Sequence, residues 1–299
     1  MYKSLEKDKN GFYILDGLVP KQTGAYEKAQ KFEVNGKHYY FKHDYVSDCE
    51  KFSGLAFGFP WFLNEIVNEK VVEQFDLGTV GYHLARVGDD FGVVSSDFAE
   101  IYNNTKLAED VIKASKVNKA KFHTKTHCLK FYNQCREIGE ISDTHFEKLQ
   151  LASLIHFGLL QYDGIAENMA FAFDKDDIIL FDHERSLIAS CDTKKELKKY
   201  INSNDCVLRL GLDFEDERLN NFACNMVANP LISKDILGSY LDVMTNILRG
   251  NAIFKSINEQ VEDEYRMNIP KDYMKKFSFA LKSTTKKLED VYDKKIEMC

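Results

Sequence analysis

Two strand-like stretches, Ala29–Val34 and Lys37–Lys42, flank Asn35-Gly36, the dipeptide best suited to a two-residue hairpin turn. A helix is predicted from about Pro60 to Phe75, where Phe62, Ile66 and Val67 recur on one face. Thr79–Val87 and Phe91–Ser95 read as two further strands around a Gly88-Asp89-Asp90 turn. After Phe98 the apolar period lengthens, predicting helices over Thr105–Lys116 and Thr144–Leu160. Met169–Phe173 and Ile178–Phe181 are short apolar runs joined by an Asp174–Asp177 turn, and read as a hairpin. Helices dominate the remainder: Asp192 or Thr193 can cap one, Ser233 with Asp235 can open another, and Pro270 suits the first turn of the last. The expected architecture is α+β, with a small β-rich lobe over residues 1–98 and a larger, mainly helical lobe over 99–299.

Composition narrows the classes. A chain of 299 residues can bury a large core and form two lobes. Its 44% hydrophobic and 29% charged content is that of an ordinary globular protein. A formal charge of −7 argues against a whole-surface grip on nucleic acid, so no direct nucleic-acid binding is expected. The lysines of Lys194–Lys199 read as a solvated helix face.

The seven cysteines are scattered without a C-x-x-C pair, which fits reduced thiols better than a disulfide framework or a zinc site. Cys128 and Cys135 lack a neighbouring base and read as bland thiols. Met1–Asn10 is charged and polar, unlike a secretory signal, and the apolar stretch Leu149–Leu160 is too short to span a bilayer and carries His156. A soluble, cytoplasmic protein is expected. His123 and His127 stand four residues apart, but no third ligand accompanies them, so they read as surface residues rather than a zinc pair. Phe131-Tyr132 and Phe277–Phe279 read as core packing.

Three separated stretches carry candidate chemistry. In "TGAYEKAQKFEVNGKHYYFK", Thr23 to Lys42, a glycine-containing turn before a hairpin can lay backbone N–H groups over phosphates, and Lys42 can bring an ammonium to them. In "WFLNEIVNEKVVEQF", helix periodicity alone sets Glu65, Glu69 and Glu73 at i, i+4 spacing on a wet face; the competing reading pairs Glu65 with Lys42. In "QYDGIAENMAFAFDKDDIILFD", a hairpin returns Asp182 to the neighbourhood of Asn168, giving two oxygen ligands of the kind Mg²⁺ accepts. Asp163, five residues before Asn168, can accept the proton of an attacking hydroxyl. A base, two metal-holding oxygens, a lysine and a loop over phosphates are the parts of a phosphoryl-transfer site.

With "TGAYEK", "YYFK", "NEIVNEKVVEQF", "FGVVSSDF", "YDGIAEN" and "LFD" in order, the chain resembles the HipA-like kinases, a bacterial branch of the protein-kinase-like superfamily that also holds the phosphoinositide 3-kinases. The likeness covers about Thr23 to Asp182 and is closest to the compact form without an extra N-terminal subdomain. It implies a bilobal kinase fold using ATP and Mg²⁺. Gly24 and Lys28 then belong to the phosphate-covering loop, and Lys42 is the nucleotide lysine held by Glu65. The hinge at Ser95–Phe98 brings Ser96, Asp97 and Phe98 to the adenine, Asp163 is the catalytic base, and Asn168 and Asp182 hold Mg²⁺. Family members phosphorylate Ser or Thr of proteins, some on their own phosphate loop, where Thr23 and then Tyr26 stand here. The resemblance also raises a toxin role with an antitoxin partner.

The chain departs from the family pattern at Ile165, where a histidine is usual, at Glu167, and at His183-Glu184 after the metal aspartate. Glu167 sets a carboxylate near phosphates that would repel it. Three readings follow, ranked in this order: a Ser/Thr protein kinase, a kinase for a small molecule or lipid on the same scaffold, and a catalytically degenerate nucleotide-binding module.

Overall fold

The computed structural model describes residues 5–9, 11–19, 21–22, 29–43, 62–118, 129–159, 161, 168–182, 219–250, 253–255, 257–259 and 273–297. The fold is α+β. Six strands form one sheet: β1 (Tyr13–Ile14), β2 (Lys21–Gln22), β3 (Ala29–Val34), β4 (Lys37–His43), β5 (His83–Val87) and β6 (Asp90–Ser96), in the order β1-β5-β6-β4-β3-β2. β1 runs parallel to β5, and the other neighbours are antiparallel. The β3–β4 hairpin closes through Asn35 and Gly36 at φ 53° and 75°, the left-handed pair that a tight right-twisted hairpin requires.

Alternation along the strands gives this sheet two buried faces. Phe32, Tyr39, Phe41, Ala85 and Val94 pack with Leu5 and Leu15 in a small cluster on one side. Leu84 and Val93 face the other way, into the main core, with Leu63, Ile66 and Val67 of α1 (Phe62–Val72). A single turn of 3₁₀ helix, Glu73–Phe75, ends α1.

The predicted helix over Thr105–Lys116 is in fact two elements. β7 (Thr105–Leu107) pairs antiparallel with β8 (Met169–Ala172), which pairs with β9 (Asp177–Leu180) in a second, three-stranded sheet. Only Ala108–Ala114 is helical. A strand partner distant in sequence satisfies the backbone of Thr105–Leu107, and local periodicity carries no trace of it. Phe98–Ile101, which no pattern predicted, is a one-turn helix (α2) capped by Asp97, so Ala108–Ala114 is α3.

The other described elements are helices: α4 (Leu129–Glu137), α5 (Asp143–Gly158), α6 (Leu219–Ala228), α7 (Lys234–Arg249) and α8 (Tyr273–Glu297). Ser142 caps α5 by accepting the His145 N–H, and Ser233 caps α7 by accepting that of Ile236. Cys135 lies in the core, its thiol pushed up to about 11 by burial. Phe131, Tyr132 and Phe277 are core residues as expected. Asp192, Thr193, Lys194–Lys199, His123, His127, Cys128 and Pro270 lie outside the described residues. Among the described residues, no helix is long and apolar enough to cross a membrane.

One glycine joins the two sheets. Gly78, between α1 and β5, donates to the Ile178 carbonyl at 2.9 Å and accepts from the Leu180 N–H at 3.0 Å. A β-carbon there would stand 2.9 Å from Ile179 Cγ1 and 3.1 Å from the Ile178 carbonyl oxygen. The absent side chain is what lets the segment dock on β9.

Candidate functional site

Lys42 lies near the end of β4, directly opposite Val93 of β6. Tyr39 and Phe41 point into the small cluster, so the two-residue alternation turns Lys42 to the face covered by α1. Its ammonium lies 2.8 Å from Glu65 Oε1 and 2.7 Å from Asp182 Oδ1. Glu65 is fully buried, whereas Asp182 keeps 29% of its side chain exposed. One ammonium thus bridges two carboxylates from elements far apart in the chain.

The wet face expected from helix periodicity does not exist. Asn64, Glu65, Asn68 and Glu69 are all buried, and Glu73 alone of the three acids reaches solvent, pairing with Lys70 at 2.9 Å. The helix is enclosed on most of its circumference, so position on the helical wheel does not decide burial; partners do. Glu65 has Lys42. Glu69 accepts the N–H groups of Gly81 and Tyr82 at 2.7 Å each. Burial nevertheless pushes the Glu69 carboxyl up to about 7, against the pull of those two donors.

Asp182 is held at every polar group of its main chain and at its carboxylate. Its N–H donates to Tyr82 Oη at 3.0 Å, and its carbonyl accepts from Gln161 Nε2 at 2.9 Å. Its backbone is left-handed, at φ 63°, a conformation that costs an L-residue about 1–2 kcal/mol and that Asp tolerates better than most. The β8–β9 hairpin brings Asn168 to the same place: its carbonyl accepts the Phe181 N–H at 3.2 Å, one residue from Asp182. Asn168 is buried.

The segment expected as a hinge, Ser95–Phe98, spans the end of β6 and the start of α2. Ser96 is buried, and its N–H donates to the Val80 carbonyl at 3.3 Å. The Asp97 carboxylate is engaged within the protein: Lys31 Nζ stands 3.3 Å away, Tyr40 Oη 3.1 Å, and the Ala99 N–H caps onto it at 3.1 Å. That carboxylate braces β3 and β4 against the hinge, a job its sequence position did not disclose. The Phe98 ring stacks on Phe181 with centroids 5.6 Å apart, linking the hinge to the residue before Asp182.

Lys42, Glu65, Asn168 and Asp182 therefore gather where the two sheets meet, with Phe98 stacked alongside on Phe181, while Ser96 is held to Val80 and Asp97 to β3 and β4. Gly24, Lys28, Thr23, Tyr26, Asp163, Ile165, Glu167, His183 and Glu184 lie outside the described residues. Two residues at this junction, Tyr82 and Gln161, escaped sequence reasoning, and a third, Glu69, was expected in solvent. The signal for Glu69 was present, since it repeats Glu65 one turn later in "NEIVNE".

The donor set at Asp182 and Asn168 suits Mg²⁺. A carboxylate and an amide supply hard oxygen atoms, and an ammonium already sits 2.7 Å from Asp182 Oδ1, where positive charge is favoured. Mg²⁺ takes its other ligands from phosphates and water. Among the described residues no group of three or more His, Cys, Asp or Glu could hold a metal by itself.

No family model and no curated protein matches the sequence. Solved structures do match the fold. The Helicobacter pylori proinflammatory kinase CtkA superposes with a TM-score of 0.65 at 15% identity, over 95% of this chain and 98% of that one. HipA in the Shewanella oneidensis MR-1 toxin–antitoxin complex of HipA, HipB and operator DNA gives a TM-score of 0.50 at 9% identity, over 92% of this chain and 67% of that one. The likeness extends well beyond Asp182, through the helices that the motifs did not reach. In fold, this chain is similar to the HipA-like kinases.

Proposed function

We propose that this chain is an ATP-dependent phosphotransferase that phosphorylates Ser or Thr hydroxyls of a protein. The observation that carries the reading is Lys42 clamped between Glu65 and Asp182, from three elements far apart in sequence. In this reading Lys42 binds the α- and β-phosphates, and the buried Glu65 carboxylate, 2.8 Å away, holds the ammonium in place. Ser96 and Phe98 border the adenine, with Asp97 bracing the hinge from within. Asp182 and Asn168 hold Mg²⁺, which when bound neutralises charge on the phosphates. Asp163 orients the acceptor hydroxyl and takes its proton, so that catalysis rests on positioning and fixed charge. Gly24 and Lys28 cover the phosphates, and Thr23 is the candidate site of self-modification. The S. oneidensis HipA structure holds HipB, and by that likeness an antitoxin-like partner is proposed for this chain as well.

The test is incubation with ATP and Mg²⁺, with and without a mixed protein acceptor, followed by intact-mass and peptide mass spectrometry. Phosphate on Ser or Thr, lost by about 100-fold or more in Asp163→Ala while nucleotide still binds, is the expected result. Phosphate found only on extracted metabolites redirects the acceptor to a small molecule. No transfer to any acceptor refutes the enzyme.

A further inference from the structure

The polar chain that leads from α1 to Asp182 has no part in the roles above. Glu69, one turn after Glu65, takes both N–H groups of the Gly81-Tyr82 segment at 2.7 Å, fixing the main chain from which Tyr82 projects. Tyr82 is buried, and its hydroxyl accepts the Asp182 N–H at 3.0 Å. Lys42 Nζ lies 6.0 Å from the Tyr82 ring, so Tyr82 borders both members of the Lys42–Asp182 pair.

We propose that Tyr82 is a positioning residue for Asp182: its hydroxyl, anchored through Glu69, holds the Asp182 main chain left-handed, so that the carboxylate exchanges Lys42 for a divalent cation by side-chain rotation alone. This rests on reading Asp182 as a metal ligand. Without the hydroxyl the Asp182 N–H loses its acceptor, and the backbone is free to leave a conformation that only its partners maintain. Restoring that conformation then draws on the free energy of Mg²⁺ binding, and the affinity falls.

The experiment compares the full-length wild type, Tyr82→Phe and Glu69→Gln. Calorimetry follows binding of a non-hydrolysable ATP analogue over a Mg²⁺ series, and hydrogen–deuterium exchange follows the Asp182 amide without nucleotide or metal. In Tyr82→Phe the Mg²⁺ concentration for half-maximal enhancement rises about tenfold, as expected from one lost hydrogen bond. Analogue binding without Mg²⁺ is unchanged, and the Asp182 amide exchanges faster. Glu69→Gln shifts both readouts the same way by less, and carries the test alone if Tyr82→Phe does not fold. A wild-type Mg²⁺ requirement in both variants overturns the proposal, as does an equal loss of Mg²⁺-free and Mg²⁺-dependent binding, which marks a merely structural residue. If the wild type itself binds the analogue with no Mg²⁺ dependence, the metal reading of Asp182 falls and the proposal with it.

Discussion

Lys42 and Glu69 carry opposite electrostatic problems, and each yields a prediction. Lys42 pairs with a wholly buried carboxylate, so Lys42→Met removes the ammonium 2.8 Å from Glu65 Oε1. The variant should lose about 1–3 kcal/mol of stability by denaturant titration, and transfer should fall by about 100-fold or more. Unchanged stability contradicts the assigned pair. Glu69 is buried without a cationic partner at hydrogen-bond distance among the described residues, and its pKa stands at about 7 rather than 4.5. A carboxyl raised in the folded state stabilises fully below its unfolded pKa, and that contribution disappears as pH rises through the folded value. Each tenfold difference in proton affinity between the two states is worth about 1.4 kcal/mol. Between about pH 4.5 and 7 the wild type should therefore lose roughly 3 kcal/mol relative to Glu69→Gln. Denaturant midpoints of the two proteins measured across that range check it, and parallel curves contradict it.

Gly78 is the seam between elements, where the α1–β5 segment touches β9 so closely that no β-carbon fits. Gly78→Ala has to push Ile179 and the β9 backbone aside, at a cost of about 1–3 kcal/mol that a thermal melt would register. A melting temperature equal to wild type would mean that the segment moves freely. The hairpins and helices were legible wherever local chemistry sets them: Asn35-Gly36, the Ser233 cap, and the β8–β9 turn all occur where the residues ask for them. Thr105–Leu107 was not, because its strand identity comes from β8 and from nothing in its own residues. The face of α1 was misjudged for a related reason. A helix packed on most sides has no solvent stripe, so acids that look exposed by spacing are buried wherever an ammonium or two amides await them. Lys42 and Asp182 could be named from motifs; that Tyr82 and Gln161 hold the Asp182 main chain could not, since neither belongs to a pattern with a period.

Across the molecule, the six-stranded sheet contributes Lys42, α1 contributes Glu65 and Glu69, and the β8–β9 hairpin brings Asn168 and Asp182. Polar contacts from Lys42 and Tyr82 to Asp182 cross between the sheets, alongside Gly78 and the Phe98–Phe181 stack. A ligand seated among them links both sheets, so Mg²⁺ with ATP should raise the melting temperature by an amount that grows with nucleotide concentration, reaching about 2.7 kcal/mol of added stability at about a hundred times Kd. The most direct measurement is calorimetric titration of a non-hydrolysable ATP analogue into wild type and Asp182→Ala, with and without Mg²⁺. Tighter binding with Mg²⁺ in the wild type, and loss of that enhancement in Asp182→Ala, is the predicted result. Analogue binding that is absent in the wild type, or identical in the two proteins with the Mg²⁺ enhancement intact, would contradict a nucleotide–metal site at Lys42 and Asp182.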